Sequence, residues 1–124
     1  MAEGRVLGIG GVFIRSPDPL RLARWYREHL GMVMSAPDEP DPSGWVWDTE
    51  AGSCVFSAFR AESDYFAADR QAMLNLRVEG LEALVAKLEA AGLEVTRREV
   101  MDGVGTFARV HDCDGNPLEL WEPA

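Results

Sequence analysis

The chain has 124 residues, 47% of them hydrophobic and 27% charged, which fits one soluble domain with a core of its own rather than a disordered or fibrous chain. Twelve Lys and Arg stand against 21 Asp and Glu, so the net charge of −9 opposes phosphate backbones, and no basic cluster offsets it. No apolar run approaches the ~20 residues of a membrane span, and the opening Met1-Ala2-Glu3-Gly4-Arg5 lacks the apolar stretch of a signal peptide. The expectation is a cytoplasmic protein with neither nucleic acid nor membrane as partner.

In chain order, Ile9–Ile14 reads as a first strand. Asp18-Pro19 then offers a helix cap followed by a proline at the first helical position. Leu22, Trp25, Tyr26 and Leu30 recur at helical spacing, and Gly31 supplies the stop. Short strands are expected at Met32–Met34, Gly44–Asp48 and Ser53–Phe59, separated by turn chemistry at 38–44 and at Ala51-Gly52. Arg60–Gln71 reads as a connector whose Asp64-Tyr65-Phe66 is either a surface loop or a lid, with the loop preferred. A strand at Leu74–Val78 leads into a second helix between Gly80 and Gly92, with Leu81, Leu84, Val85, Leu88 and Ala91 on one stripe. Strands follow at Glu94–Met101, Thr106–Val110 and Pro117–Trp121, with turns at Asp102-Gly103 and Asp114-Gly115-Asn116.

The order β-α-β-β-β therefore occurs twice, and a period this long, each half a supersecondary unit, points to duplication. The expected architecture is α+β: a single domain over 1–124, with module one at about 5–60, a connector at about 61–71 and module two at about 72–122.

Several residues invite chemistry and have plainer explanations. Two cysteines, Cys54 and Cys113, make neither a disulfide framework nor a cysteine-rich zinc site, and read as free thiols. His29 lies near the first helix end, where imidazole complements the dipole. His111 precedes the last turn; it is either a turn histidine or a group near the mouth of a site. Asp112, Asp114 and Asn116 echo a calcium loop, but the position that needs a bidentate Glu is Pro123, so they read as turn residues. Gly8-Ile9-Gly10-Gly11 lacks the spacing and the immediate helix of a dinucleotide fingerprint.

Trp25-Tyr26 with Leu30-Gly31, Gly80-Leu81-Glu82-Ala83-Leu84 with Gly92, and the closing run from Asp112 to Leu120 resemble the vicinal oxygen chelate superfamily: glyoxalases, bleomycin resistance proteins, fosfomycin-resistance enzymes and extradiol dioxygenases. The resemblance spans nearly the whole chain. It implies two tandem βαβββ modules curled into a cup-shaped, partly open mixed sheet with the helices outside. It implies nothing about activity, since the fold hosts many. Metalloenzymes of that superfamily grip one divalent ion with residues from the first and last strands of each module. The corresponding positions are Gly11, Phe56, Met73 (Ala72 with a slip of one) and Glu119. Three of these four offer no oxygen or nitrogen donor on the side chain, whereas a catalytic cation needs about three such ligands. The expectation is no metal and no other cofactor; if a metal were present, Glu119 would be the only retained ligand.

Period-2 alternation turns Leu74, Leu76, Val78, Leu118 and Leu120 toward the helices. Met73, Asn75, Arg77, Glu119 and Trp121 then face the opening, with Phe13 and Arg15 from the first strand. Trp45 and Trp47 share one strand face, and Phe107 is the approximate repeat of Trp45. Glu119 is either a leftover acid satisfied by Arg15, Arg77 or water, or the polar anchor of a ligand pocket. The reading preferred from these residues is a metal-independent small-molecule binding protein. Glu119, Trp121, Phe56, Trp45, Trp47, Phe13, Met73, Asn75 and Arg15 would line a cleft for a flat or cationic organic ligand. The alternatives are a divalent-metal-dependent glyoxalase-like lyase, isomerase or dioxygenase, and a structural or regulatory module whose cup is filled by its own side chains. Half-cups with exposed aromatic faces are expected to associate as a homodimer.

Overall fold

The structure, a computed structural model, describes residues 4, 5, 7, 9–36 and 39–124. Helix α1 (Pro19–Leu30) starts where Asp18 accepts a hydrogen bond from the Arg21 backbone N–H at 3.2 Å, and ends at Gly31 with φ of +66°. A two-residue antiparallel hairpin follows: β1 (Met34–Ser35) and β2 (Val46–Trp47), separated by a single 3₁₀ turn at Pro42–Gly44. The second half contains β3 (Leu74–Arg77), α2 (Leu81–Ala90), β4 (Thr96–Met101), β5 (Gly105–His111) and β6 (Pro117–Pro123). These strands form one mixed sheet in the order β3-β6-β5-β4, parallel between β3 and β6 and antiparallel elsewhere.

One hydrophobic cluster joins both helices to this sheet. Leu22, Trp25 and Tyr26 of α1 and Leu81, Val85 and Leu88 of α2 are buried with Ala108, Val110, Leu118 and Leu120. The helical stripes and the strand alternation read from sequence therefore point into the same core, except that Leu84 is only partly buried and Ala91, just past the end of α2, is exposed. Leu74 and Leu76 pack against it too, which leaves Asn75, Arg77, Phe107, Arg109, Glu119 and Trp121 on the opposite, open face.

The turn between β5 and β6 is organised by the buried Asp112. Its Oδ1 accepts from the backbone N–H groups of Asp114 and Asn116 at 2.9 and 3.0 Å. Its Oδ2 accepts from the Asn116 amide at 2.8 Å and from the Tyr26 hydroxyl at 2.6 Å. Both oxygens are thus committed to the turn and to α1, which disposes of the calcium-loop echo. Burial, then the hydrogen bond and charge of Asp112, pushes the Tyr26 hydroxyl far above its ordinary range. Ser16 adds a second tie by donating to Asp114 at 2.5 Å.

Two expected strands are not formed. Residues 9–14 and 53–59 join no ladder among the described residues, and their apolar side chains are exposed: Phe13 is 98% and Phe56 91% exposed. The strands expected at Met32–Met34 and Gly44–Asp48 shrink to the two-residue β1 and β2. The physical reason is pairing. Extended, β-branched segments become strands only against a partner edge, and β1–β2 is too short to provide one. The turn expected at 38–44 begins outside the described residues, with Asp38. From β3 to β6 the element order is β-α-β-β-β; before it come α1 and the short hairpin.

Two predictions follow from these contacts. Tyr26→Phe should lower unfolding free energy by about 1.5 kcal/mol, the worth of a hydrogen bond to a charged group; urea titration measures it, and a loss near zero would refute the tie between α1 and the closing turn. Glu122 accepts from the backbone N–H groups of Gly80 and Leu81 at 3.0 Å each, and these bonds hold its carboxyl below the usual range. A depressed carboxylate stabilises the fold above its unfolded pKa, and the contribution disappears as pH falls through the folded value. Glu122→Gln should therefore lower the melting temperature at neutral pH, with the gap to wild type closing in acid.

Candidate functional site

The open face of the four-stranded sheet carries a polar floor beside an aromatic wall. At the floor, Glu119 of β6 stands between buried Leu118 and Leu120 and is itself buried. A carboxylate in that position requires donors. Asn75, its register partner on β3, donates to Oε1 at 2.8 Å, and the Tyr65 hydroxyl donates to Oε2. Glu119 is thus satisfied neither by Arg15 nor by Arg77. Arg77 instead clamps the 50–53 loop, donating to the Glu50 carbonyl at 2.9 Å and to the Ser53 carbonyl at 3.4 Å.

Opposite Glu119 on β5 is Arg109, only 5% exposed. Its guanidinium carbon lies 5.0 Å from the centre of the Tyr65 ring, and that of Arg97 lies 5.1 Å from the same centre. Burial, followed by the bond to Glu119 and its charge, raises the Tyr65 pKa, while Arg109 opposes the rise. Phe59 approaches the same ring at 5.4 Å.

The wall is Trp121 stacked on its register partner Phe107, with ring centres 6.1 Å apart and planes within 6°. The indole N–H donates to the Val104 carbonyl at 3.0 Å. This close seating requires glycine at 105: φ is +139°, and a Cβ there would come within 2.7 Å of the indole nitrogen and 2.2 Å of the Glu122 carbonyl.

The residues named from sequence separate into two groups. Glu119, Asn75 and Trp121 come together on this face, and Met73 immediately precedes β3. The others lie elsewhere. Phe13 and Arg15 line an open groove of about 840 Å³ with Tyr26, Arg70, Leu74 and Leu118, by the helix-covered side of the sheet. Trp45 sits under the Arg27 guanidinium of α1, which lies 4.8 Å from its ring centre, while Trp47 pairs with Met34 and is partly exposed. Phe56 projects into solvent. His29 contacts the Trp25 ring at 5.2 Å, and His111 is the exposed last residue of β5. Cys54 and Cys113 are free.

Sequence reasoning missed Arg109 and Tyr65. The alternation that exposed Glu119 on β6 also turns Arg109 to the open face between buried Ala108 and Val110, so its signal was present. Tyr65 carried no comparable signal, because a loop has no period.

A family model described as "Glyoxalase-like domain" matches residues 11–121. The chain belongs to that family. Glyoxalase-like domains and this chain share their fold with solved glyoxalase/bleomycin resistance proteins of the vicinal oxygen chelate superfamily. TnmS3, an antibiotic binding protein from Streptomyces sp. CB03234, is 23% identical with a TM-score of 0.60, covering 96% of this chain and all (100%) of that one. A glyoxylase/bleomycin resistance protein/dioxygenase domain from Frankia sp. EAN1pec is 20% identical with a TM-score of 0.55, over 97% of this chain and 100% of that one. Lactoylglutathione lyase from Agrobacterium tumefaciens is 17% identical with a TM-score of 0.52, over 85% and 86%. At these identities the likeness is one of fold. No curated protein matches the chain.

The metal that the superfamily's enzymes use can be tested against the glyoxalase-like domain's own residues. Gly11 and Phe56 are exposed and bring no donor atom, Met73 brings a thioether, and both Glu119 oxygens are engaged by Asn75 and Tyr65. Among the described residues, no three His, Cys, Asp or Glu side chains gather in a way that could hold an ion. This donor set does not fit a divalent cation.

Proposed function

We propose that this glyoxalase-like domain is a small-molecule binding protein that takes a flat organic ligand without a metal. The observation that carries the reading is the pairing of a hydrogen-bonding floor, Glu119 with Asn75, and a stacked aromatic wall, Phe107 with Trp121, on one sheet face. Such a face orients a planar molecule through one polar group and holds it by ring contact. The fold it shares with an antibiotic binding protein supports a binding role, and the poor fit of the four corner residues to a cation argues against a glyoxalase-like lyase, isomerase or dioxygenase.

The same reading includes the paired-module architecture. Residues 9–14 and 53–59 have the apolar, extended character of the two missing strands of a first βαβββ module, and their exposed Phe13, Val55 and Phe56 form surface that a soluble chain covers by association. We propose that they complete that module when two chains pair as a homodimer.

The binding reading is tested by melting the protein against a panel of aromatic natural products. A ligand well above its Kd should add about 1 to 3 kcal/mol, or several degrees in Tm, and Trp121→Ala should abolish the shift. No shift with any compound would overturn it, as would elemental analysis, after zinc, nickel, manganese and iron are offered, showing one ion per chain lost in Glu119→Gln. For the second proposal, sedimentation at micromolar concentration should give a dimer that Phe56→Asp weakens; monomer alone would exclude it.

A further inference from the structure

The hydroxyl and ring of Tyr65 make contacts that a foreign phenol would seek. Its hydroxyl donates to Glu119, which Asn75 holds in place from the other oxygen at 2.8 Å. Its ring lies near two guanidinium groups, Arg97 at 5.1 Å and Arg109 at 5.0 Å. Arg97 reaches it from an irregularity in β4: the register shifts between Thr96 and Glu99, and Arg97 itself has φ of +45°. Bulges and strained residues of this kind re-aim side chains at binding sites.

Tyr65 nevertheless belongs to no strand. It rides on the connector between Phe59 and Leu74, whose own backbone bonds are short-range turns, Ser63 to Arg60 and Arg70 to Ala67, both at 3.0 Å. One long bond, from Arg97 to the Asp64 carbonyl at 3.4 Å, ties the segment to β4. The ring can therefore leave without breaking a ladder. It also leaves the site incompletely satisfied: Nε and Nη2 of Arg109 are buried with no acceptor among the described residues. Buried guanidinium donors without partners are rare, and Tyr65 does not supply an acceptor because it turns its ring face, not its oxygen, to Arg109.

We propose that Tyr65 is a resident substitute for the ligand, and that the ligand is a planar hydroxylated aromatic carrying a carbonyl acceptor. This rests on the small-molecule binding reading and specifies it. The ligand's hydroxyl takes the Glu119 oxygen that Tyr65 holds, its ring takes the place over Arg97 and Arg109, and its carbonyl accepts from Arg109. Tyr65 then moves outward with the connector. Two guanidinium groups beside the ring position disfavour a cationic ligand and favour an electron-rich neutral one.

The probe is 7-hydroxycoumarin, used below its own ionisation range so that its hydroxyl is a donor, with coumarin and N-methylquinolinium as controls. Affinities are read by fluorescence titration on the full chain. Because the closed form must open first, removing the plug in Tyr65→Ala should tighten 7-hydroxycoumarin by about tenfold. Coumarin should bind at least about tenfold more weakly than 7-hydroxycoumarin, and the quinolinium should not bind. The chain has two tyrosines, Tyr26 and Tyr65. In protein labelled with 3-fluorotyrosine, the probe should move the Tyr65 resonance to a solvent-exposed position and leave that of Tyr26 in place. Equal or weaker binding in Tyr65→Ala, or an unmoved Tyr65 signal at saturation, would overturn the proposal and make Tyr65 a fixed wall. Should Tyr65→Ala fail to fold, Tyr65→Phe decides, since loss of the hydroxyl alone should tighten the probe about threefold and unchanged affinity is the contrary result. If 7-hydroxycoumarin binds neither wild type nor variant while other aromatic compounds raise Tm, this proposal fails and the binding reading stands. If no compound acts on either protein, both fail.

Discussion

A carboxylate placed between two core leucines on an inner strand sets the terms for everything on the open face of this sheet. Glu119 cannot stay buried and unpaired, since an isolated charge in a poorly solvating environment costs far more than one strand position contributes. The chain meets that demand with neutral donors, an amide from the neighbouring strand and a phenol from the connector, rather than with a direct ion pair. Arg109 sits across the ladder and supplies a positive field without a bond to the acid. Anchoring the acid therefore draws a loop across the sheet, and the loop brings its aromatic residues with it.

The other organising acid, Asp112, has the opposite character. It is buried as well, but each of its contacts is structural: three within its own turn and one from Tyr26. Through that last bond the closing turn is fixed to α1, so the first half of the chain is docked by its helix even though its hairpin is only two residues long on each side. Two buried carboxylates seven positions apart thus divide the labour. One locks the scaffold at the end of the sheet, and the other is held at its centre by a donor from an irregular segment.

Much of this was legible in the sequence, and the boundary follows the physics. Both helices were readable because caps, glycine stops and 3.6-residue stripes are local signals, as with Asp18, Gly31 and the Leu81–Leu88 face. The facing of β3 and β6 was readable because alternation does not depend on who the neighbour is. Pairing does, and so Ile9–Ile14 and Ser53–Phe59, apolar enough for strands, nevertheless join no ladder among the described residues. The same dependence displaced Phe13, Arg15, Phe56, Trp45 and Trp47 from the face to which the notional strands would have carried them. Tyr65 was out of reach for a different reason: the side chain that completes the Glu119 site arrives from an irregular segment 54 residues earlier in the chain.

Position 105 carries a consequence for how such a scaffold can change. The obstacle to any side chain there is chiefly the main chain of β6, the carbonyl of Glu122, and only secondarily the indole beside it. The close fit beside Trp121 is consequently set more by backbone than by the ring. Drift at 121, or at its stacking partner 107, can reshape what the wall presents without remaking the foundation. Glycine at 105 leaves the two ring positions above it free to vary while the strand contact beneath them stays put.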